Sequence, residues 1–322
     1  MNTEAARPGS PPAGMSSDAV ETTAEAGGGR TKINEVWHVR HGQKCMEVKG
    51  EERLVWRQSP RYKRVGYFDT IITRHGHVQA SRAGLYLKSL PFNQQPGGFD
   101  IVYTSPMART VQTAVCISQS LGNLPLQVVP GLCSCTAALV RIGPSAQENL
   151  MTDEEIREIF PWVTVLPRDP LAPTTFSESA AWLAAKASEK KGTEEDGDGH
   201  VYFSRVLAVG HQEGTKAMAG QKLPTPHCCI GIFRTEALDN MHRYELHDLL
   251  SNKGTSINPT GEPSSYAGPM MITTGEGNIP QKDGGDLDSS DEDHDDGAEN
   301  AVAERVMALT VSAVEGARIP VV

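Results

Sequence analysis

Lys32-Ile33-Asn34-Glu35-Val36-Trp37-His38-Val39 runs straight into Arg40-His41-Gly42-Gln43, and the reading of that stretch decides the fold. It predicts a strand that ends by delivering an arginine and a histidine to a glycine turn. Working outward, Asp100-Ile101-Val102-Tyr103-Thr104 reads as a short buried strand, and a helix follows from Pro106 to about Leu121. Val111, Ala114, Val115 and Ser118 mark one face of that helix, and a proline near the first turn is a good start signal. Leu126 to Val129, Phe203 to Val209 and Cys228 to Phe233 are further strands. Val78 to Leu90, Ser177 to Lys190 and a segment from about Gly214 are further helices. Strands alternating with helices over this length imply an α/β three-layer sandwich: a mostly parallel central sheet with helices on both faces.

That pattern occupies one expected domain, 32–250, ending at Tyr244 to Leu250. Residues 1–31 are rich in Pro, Gly, Ser, Ala and Thr, and residues 251–322 in Gly, Pro and Ser before an acidic block. Both flanks carry too little apolar area to offset their ordering entropy and are expected to be disordered. Ala301 to Val314 is the exception, a candidate short apolar helix. The dilution shows in the whole chain of 322 residues: hydrophobic residues are 38%, with 31 Gly and 21 Pro.

The formal net charge of −10 is concentrated in one place, since nine acids and no Lys or Arg lie between Asp283 and Glu299. The remainder is close to neutral, which argues against a nucleic-acid surface. No run approaches the roughly 18 apolar residues of a membrane span, and the first twenty residues lack the pattern of a secretory signal. Six Cys without a Cys-x-x-Cys pair do not make a disulfide scaffold. A reducing, cytoplasmic location is the expectation.

Ligands of such sheets bind beyond the carboxyl ends of the strands. Three strands deliver candidate groups there: Arg40 and His41, Arg109 after Thr104-Ser105-Pro106, and His211 after Gly210. Two His and two Arg make a poor metal site, because the cations repel a metal and no carboxylate joins them. They suit a phosphoryl group, whose oxygens match the guanidinium fork and whose phosphorus an imidazole nitrogen can attack.

VRHGQ (39–43), ITRHGHVQA (72–80), DIVYTSPMARTVQTA (100–114), VVPGL (128–132) and AVGHQEGTKAM (208–218) together resemble the ordered signature of the histidine phosphatase, or phosphoglycerate mutase-like, superfamily over about residues 33–235. The VRHGQK run, the 56–67 insertion and VVPGL are most similar to its TULA/Sts branch. The resemblance implies a phosphomonoester hydrolase that needs no cofactor or metal. His41 would be the phosphorylated nucleophile, Arg40 and Arg109 the phosphoryl clamp, and His211 a stabiliser of charge in the transition state. Lys44 falls where that branch carries a further basic residue and is a candidate substrate contact. The implied partner is a phosphorylated small molecule or a phosphoprotein, with neither nucleic acid nor membrane.

Arg74-His75-Gly76 repeats the central triplet, but it leads into a helix, and Thr73, Gly76, Gln79 and Ala80 match the family's Thr-x-x-Gly-x-x-Gln-Ala helix start. His75 is therefore expected at the pocket rim at most. His200 and His227 read as loop residues without a partner, and Cys133, Cys228 and Cys229 as buried thiols.

One position departs from the family. Relatives place a glutamate two residues past the Leu of VVPGL as general acid, and Ser134 stands there. A serine hydroxyl is far too weak an acid. Glu213 and Asp153 are the candidate substitutes, with Glu148, Glu154 and Glu155 near the latter. Without an acid, aryl phosphates such as phosphotyrosine would be favoured over alkyl esters. A catalytically impaired phosphate-binding or scaffold protein and a sugar-phosphate phosphatase or mutase are the alternatives. The stretches 44–70 and 137–173 are expected as loops that set specificity.

Overall fold

The structure, a computed structural model, describes residues 31–66, 68–94, 98–133, 150–190, 193–195, 201–238 and 241–251. The proline-rich start, the acidic block, the Ala301 to Val314 segment, Ser134, Glu148 and His200 lie outside them.

β1 (Thr31–Arg40) runs parallel to β6 (Val201–Gly210) over its whole length, with Arg40 opposite Gly210. β2 (Val102–Thr104) takes the other side of β6, and β3 (Leu126–Val128) and β4 (Val165–Leu166) continue the parallel side. β7 (Ile230–Leu238) packs antiparallel on β1, and β8 (Met241–Leu250) follows it antiparallel. β5 (Thr193–Glu195) pairs antiparallel with the start of β6. The order is β4-β3-β2-β6-β1-β7-β8, so the first strand of the signature lies deep in the sheet.

Side chains on alternate residues of a strand point to opposite faces, and here both faces are apolar. Trp37, Val39, Val102, Leu207 and Val209 join one core with α3 (Arg74–Ser89) and α4 (Ala108–Ser120). Val36, Tyr103, Val206, Ala208 and Phe233 join the other with α6 (Phe176–Glu189) and α7 (Gln212–Ala219). A sheet apolar on both faces must be covered twice, which gives the three layers of a phosphoglycerate mutase-like fold.

The boundaries that shift do so for local reasons. α3 starts at Arg74 rather than Val78, because the Thr73 hydroxyl accepts from Gly76 N at 2.9 Å and caps the helix. α4 starts past Pro106, where Asp69 Oδ1 accepts from Ala108 N at 2.7 Å. α7 starts at Gln212 with His211 at its cap. β7 starts at Ile230, since Cys228 has φ 54, a left-handed conformation that no strand admits. The stretches read as loops hold structure: α1 (Glu51–Gln58) and α2 (Pro60–Val65) in the first, α5 (Asp153–Ile159) and β4 in the second. Their apolar periodicity is thin. Trp56 alone of α1 is buried, edge-on to Tyr62.

At the end of the sheet away from Arg40, Glu35 is fully buried and bonded by Arg205 Nε at 3.0 Å and Trp37 Nε1 at 3.1 Å, with Arg234 Nε at 3.5 Å. The Arg205 guanidinium also lies 4.0 Å from the Phe92 ring centre. Since Glu35 faces Arg205 on β6 and Arg234 on β7, this charge cluster pins the register of three strands. Among the described residues no helix is long and apolar enough to cross a membrane.

Candidate active site

The strand register assembles the site. Arg40 stands opposite Gly210 and Thr104 opposite Val209, so the next residues, His41, His211 and Ser105, emerge side by side. The His41 and His211 ring centres are 5.3 Å apart. His41, Arg109 and His211 are buried, while Arg40 and Lys44 are partly exposed.

Gly42 is fixed by crowding. A Cβ there would stand 2.6 Å from Gly76 O, and one on Gly76 would stand 2.6 Å from Gln43 O. The two glycines let the turn after His41 lie backbone to backbone on the start of α3. Polar bonds complete the dock: Gln43 N donates to Gln79 Oε1 at 3.0 Å, and Thr73 N to Gln43 O at 2.8 Å. The Thr73, Gly76, Gln79 pattern is thus the cradle of the His41 turn. His75, in the same helix turn, is exposed. Gly210 meets a similar constraint, since a Cβ would lie 2.5 Å from Nε2 of the buried His38 beneath it.

His41 Nδ1 lies 2.7 Å from Gly42 O. A carbonyl only accepts, so Nδ1 carries the hydrogen and Nε2 is left with its lone pair. Burial and the nearby Arg109 charge hold the His41 imidazole well below its usual pKa, so it is neutral near pH 7. The same two causes, with His41 itself, depress His211. His211 Nε2 lies 3.1 Å from Ser105 Oγ, and its Nδ1 is buried without a hydrogen-bond partner among the described residues. Arg109 is held by the segment that follows α2, donating to Phe68 O at 2.8 Å. Asp69, next to Phe68, binds Ala108 N and Arg61 Nη2, and Arg61 also pairs with Glu155 of α5. The segment 44–70 therefore braces the helix start that carries Arg109.

The other expected residues are placed less centrally. Lys44 Nζ pairs with Glu47 at 3.1 Å and lies within electrostatic reach of His211. Glu213 is exposed in the first turn of α7, 3.4 Å from Gln212 Nε2 and within electrostatic reach of Arg109. Asp153 opens α5, where Arg168 Nε binds it at 2.8 Å. Cys45, Cys116, Cys133, Cys228 and Cys229 are buried, and burial pushes Cys45, Cys116 and Cys229 up to about 12, so they are thiols rather than thiolates.

His227 corrects the sequence reading. Its ring centre is 5.9 Å from that of His41, its Nε2 is 2.8 Å from Glu47 Oε2, and Arg40 Nη2 is 3.2 Å away. Glu47 in turn corrects the view that no carboxylate joins the cluster. Neither lies in a strand-end motif, and a turn between elements gives no sequence signal for what it will face. Among the described residues no group of three or more His, Cys, Asp or Glu is arranged to hold a metal ion.

The arrangement thus sets the neutral imidazole of His41 within electrostatic reach of the Arg109 and Arg40 guanidinium groups, with a second neutral imidazole, that of His211, beside it. The family model for the histidine phosphatase superfamily (branch 1) matches residues 36–226. No curated protein sequence matches the chain. Solved structures similar to it include the ecdysone phosphate phosphatase of Bombix mori, 18% identical, covering 77% of this chain and 98% of that one at a TM-score of 0.39. A mycobacterial glucosyl-3-phosphoglycerate phosphatase is 17% identical, covering 66% of this chain and 96% of its own at a TM-score of 0.34. The phytase of Citrobacter braakii is 15% identical, covering 65% and 83% at a TM-score of 0.33. With its family's model matched over more than half of its residues and the signature groups gathered at one sheet edge, the chain belongs to the histidine phosphatase superfamily.

Proposed function

We propose that this chain is a phosphomonoester hydrolase in which His41 takes the phosphoryl group and water then removes it. The observation that carries the reading is the bond from His41 Nδ1 to Gly42 O, which leaves Nε2 unprotonated and available for attack. Burial keeps that nitrogen unprotonated near neutral pH, and fixed geometry lowers the entropy cost of attack. Arg40 and Arg109 neutralise the phosphoryl oxygens as the P–O bond lengthens, and His211 donates to the same oxygens once the bound anion restores its proton affinity. Two guanidinium groups, joined by His211 once it is protonated, supply the charge that a divalent ion supplies elsewhere, so the reaction is metal-independent.

The substrate is a phosphorylated small molecule or phosphoprotein. Lys44, singled out by the TULA/Sts likeness, is a substrate contact in this proposal, exchanging Glu47 for a phosphate oxygen. An aryl preference, phosphotyrosine included, holds only where no side chain at the pocket mouth delivers a proton.

Hydrolysis of p-nitrophenyl phosphate in EDTA, with trapping of an acid-labile phosphoenzyme, tests the reading. Turnover in the wild type and none in His41→Ala are the expected results. Tight phosphate binding without any turnover would replace the hydrolase by a phosphate-binding protein, and loss on chelation restored by a divalent ion would refute the metal-free mechanism.

A further inference from the structure

We propose that His227, held by Glu47, is the acid–base residue of this pocket, protonating the departing oxygen and then deprotonating the attacking water. The proposal rests on the phosphatase reading above and assigns the proton transfer that Ser134 cannot perform.

The first argument is position. The His227 ring lies 5.9 Å from the His41 ring, on the side of Arg40, and its side chain is 18% exposed. It is therefore at the mouth, where a leaving group must pass. The turn that carries it is fastened to the nucleophile's own strand. Arg40 N donates to Cys229 O at 3.0 Å, Cys228 N to Arg40 O at 3.1 Å, and Arg40 Nη1 to Thr225 O. The left-handed Cys228, a strained conformation for a side-chain-bearing residue, lets the turn make these bonds.

The second argument is the tautomer. Glu47 Oε2 is 2.8 Å from His227 Nε2. Burial pushes the Glu47 carboxyl up, but the His227 bond and the Lys44 charge outweigh it and hold it below the usual carboxylate range. An ionised carboxylate only accepts, so Nε2 carries the hydrogen and donates it to Glu47. Arg40 Nη2, 3.2 Å away, competes for that nitrogen as a donor, and the shorter 2.8 Å contact with the ionised carboxylate is the stronger of the two. Nδ1 is left as the position where a proton comes and goes, and Glu47 is a positioning residue that fixes the ring. An imidazole suits both directions of transfer, because its ordinary pKa of roughly 6.5 lies near neutrality.

The competing carboxylates are less well set. Glu213 is exposed and meets Gln212, and Asp153 is bound by Arg168.

In the first step the His41 Nε2 lone pair bonds to phosphorus and the P–O bond to the alcohol breaks. Its electron pair leaves on the oxygen, which takes the Nδ1 proton of cationic His227. In the second, neutral His227 takes a proton from water as the water oxygen bonds to phosphorus. The P–N pair returns to His41, and hydrogen phosphate leaves. Both residues end as they began.

The test is log kcat/KM against leaving-group pKa for full-length wild type, His227→Gln, Glu47→Gln and Glu213→Gln. The wild type should show a shallow slope. His227→Gln should lose about 10²-fold on alkyl phosphates and far less on aryl phosphates. Its kcat on p-nitrophenyl phosphate should fall more than its kcat/KM, with a burst of nitrophenol, because dephosphorylation also lacks its base. Glu47→Gln should steepen the slope in the same direction by less. An equal loss on every ester would make His227 only a brace for Arg40 and overturn the proposal, as would a steepened slope in Glu213→Gln with none in His227→Gln. A wild type with no His41-dependent turnover on any ester would instead sink the phosphatase reading itself.

Discussion

Gly42 and Gly76 touch through their backbones: a Cβ on the first would lie 2.6 Å from the carbonyl oxygen of the second. This contact sets the turn that aims His41, and it joins the two Arg-His-Gly triplets of the chain into one device. The first carries His41, the proposed nucleophile, and the second lies against the turn that follows it.

Gly76→Ala separates helix propensity from site geometry. Gly76 lies inside α3 with no positive φ, so alanine should favour the helix by about 1 kcal/mol. Its Cβ, however, would meet Gln43 O and push the His41 turn away from Arg109. A displacement near 1 Å is worth about 10²-fold in rate. The expected outcome is kcat/KM down by about that factor, while the melting temperature moves by only a few degrees. Unchanged activity in a stabilised protein would show that the turn is not set by this contact.

Asp69→Ala should act on Arg109 from outside the pocket. Asp69 binds Ala108 N at 2.7 Å and Arg61 Nη2 at 2.5 Å, with 1% of its side chain exposed. Removing it leaves a helix N-terminus uncapped and a guanidinium half-paired, a loss of about 3 kcal/mol on denaturant unfolding. The KM for p-nitrophenyl phosphate should rise, because the helix start that carries Arg109, a proposed phosphoryl contact, loses one of its braces. A stability loss without any kinetic change would confine Asp69 to the fold.

The sheet and its helices are legible in the sequence because each strand-end motif is local: the run before Arg40, Thr104 before Ser105 and Val209 before Gly210 each announce themselves. What is hidden lies across space. Asp69 caps a helix 39 positions away, and Glu47 meets His227 from the far side of the chain. Neither residue has a motif, since an acid in a short helix or a histidine in a turn carries no sign of its partner. The 44–70 stretch was unreadable for a related reason. Its helices α1 and α2 are short, and their place depends on Arg61, Asp69 and Glu155 rather than on an apolar stripe.

Glu35→Ala should destabilise the fold and spare the chemistry. Removing the carboxylate leaves Arg205, fully buried beside it, without its anion, a loss of about 3–5 kcal/mol. His41 is six positions along the chain, about 20 Å at strand spacing. Where the variant remains folded, below its lowered unfolding midpoint, kcat/KM should match the wild type. A proportionate kinetic loss would mean that the register set at Glu35 is transmitted along β1.

The last prediction concerns acid. His38 and His77 are buried, and burial lowers each to about 4 from an ordinary 6.5. His41 and His211 are depressed by burial and by Arg109. In every case the unfolded chain binds the proton more readily than the folded one. Stability therefore declines as pH falls below about 6.5, where the unfolded imidazoles charge and the folded ones do not. Each such group contributes about 1.4 kcal/mol per pH unit, until its folded-state pKa is reached. The melting temperature should hold steady above pH 7 and fall steeply between 6.5 and about 4. His77→Leu, which gives up the 3.4 Å contact of Nδ1 with Cys116 Sγ but keeps an apolar side chain at the buried position, should remove one group's share of that slope. Inorganic phosphate should remove more, because an anion between Arg40 and Arg109 raises the proton affinity of His41 and His211 in the folded state. His38 and His77 would keep their shares. If phosphate raised the melting temperature equally at every pH, leaving the acid slope unchanged, those two imidazoles would not be facing the bound anion.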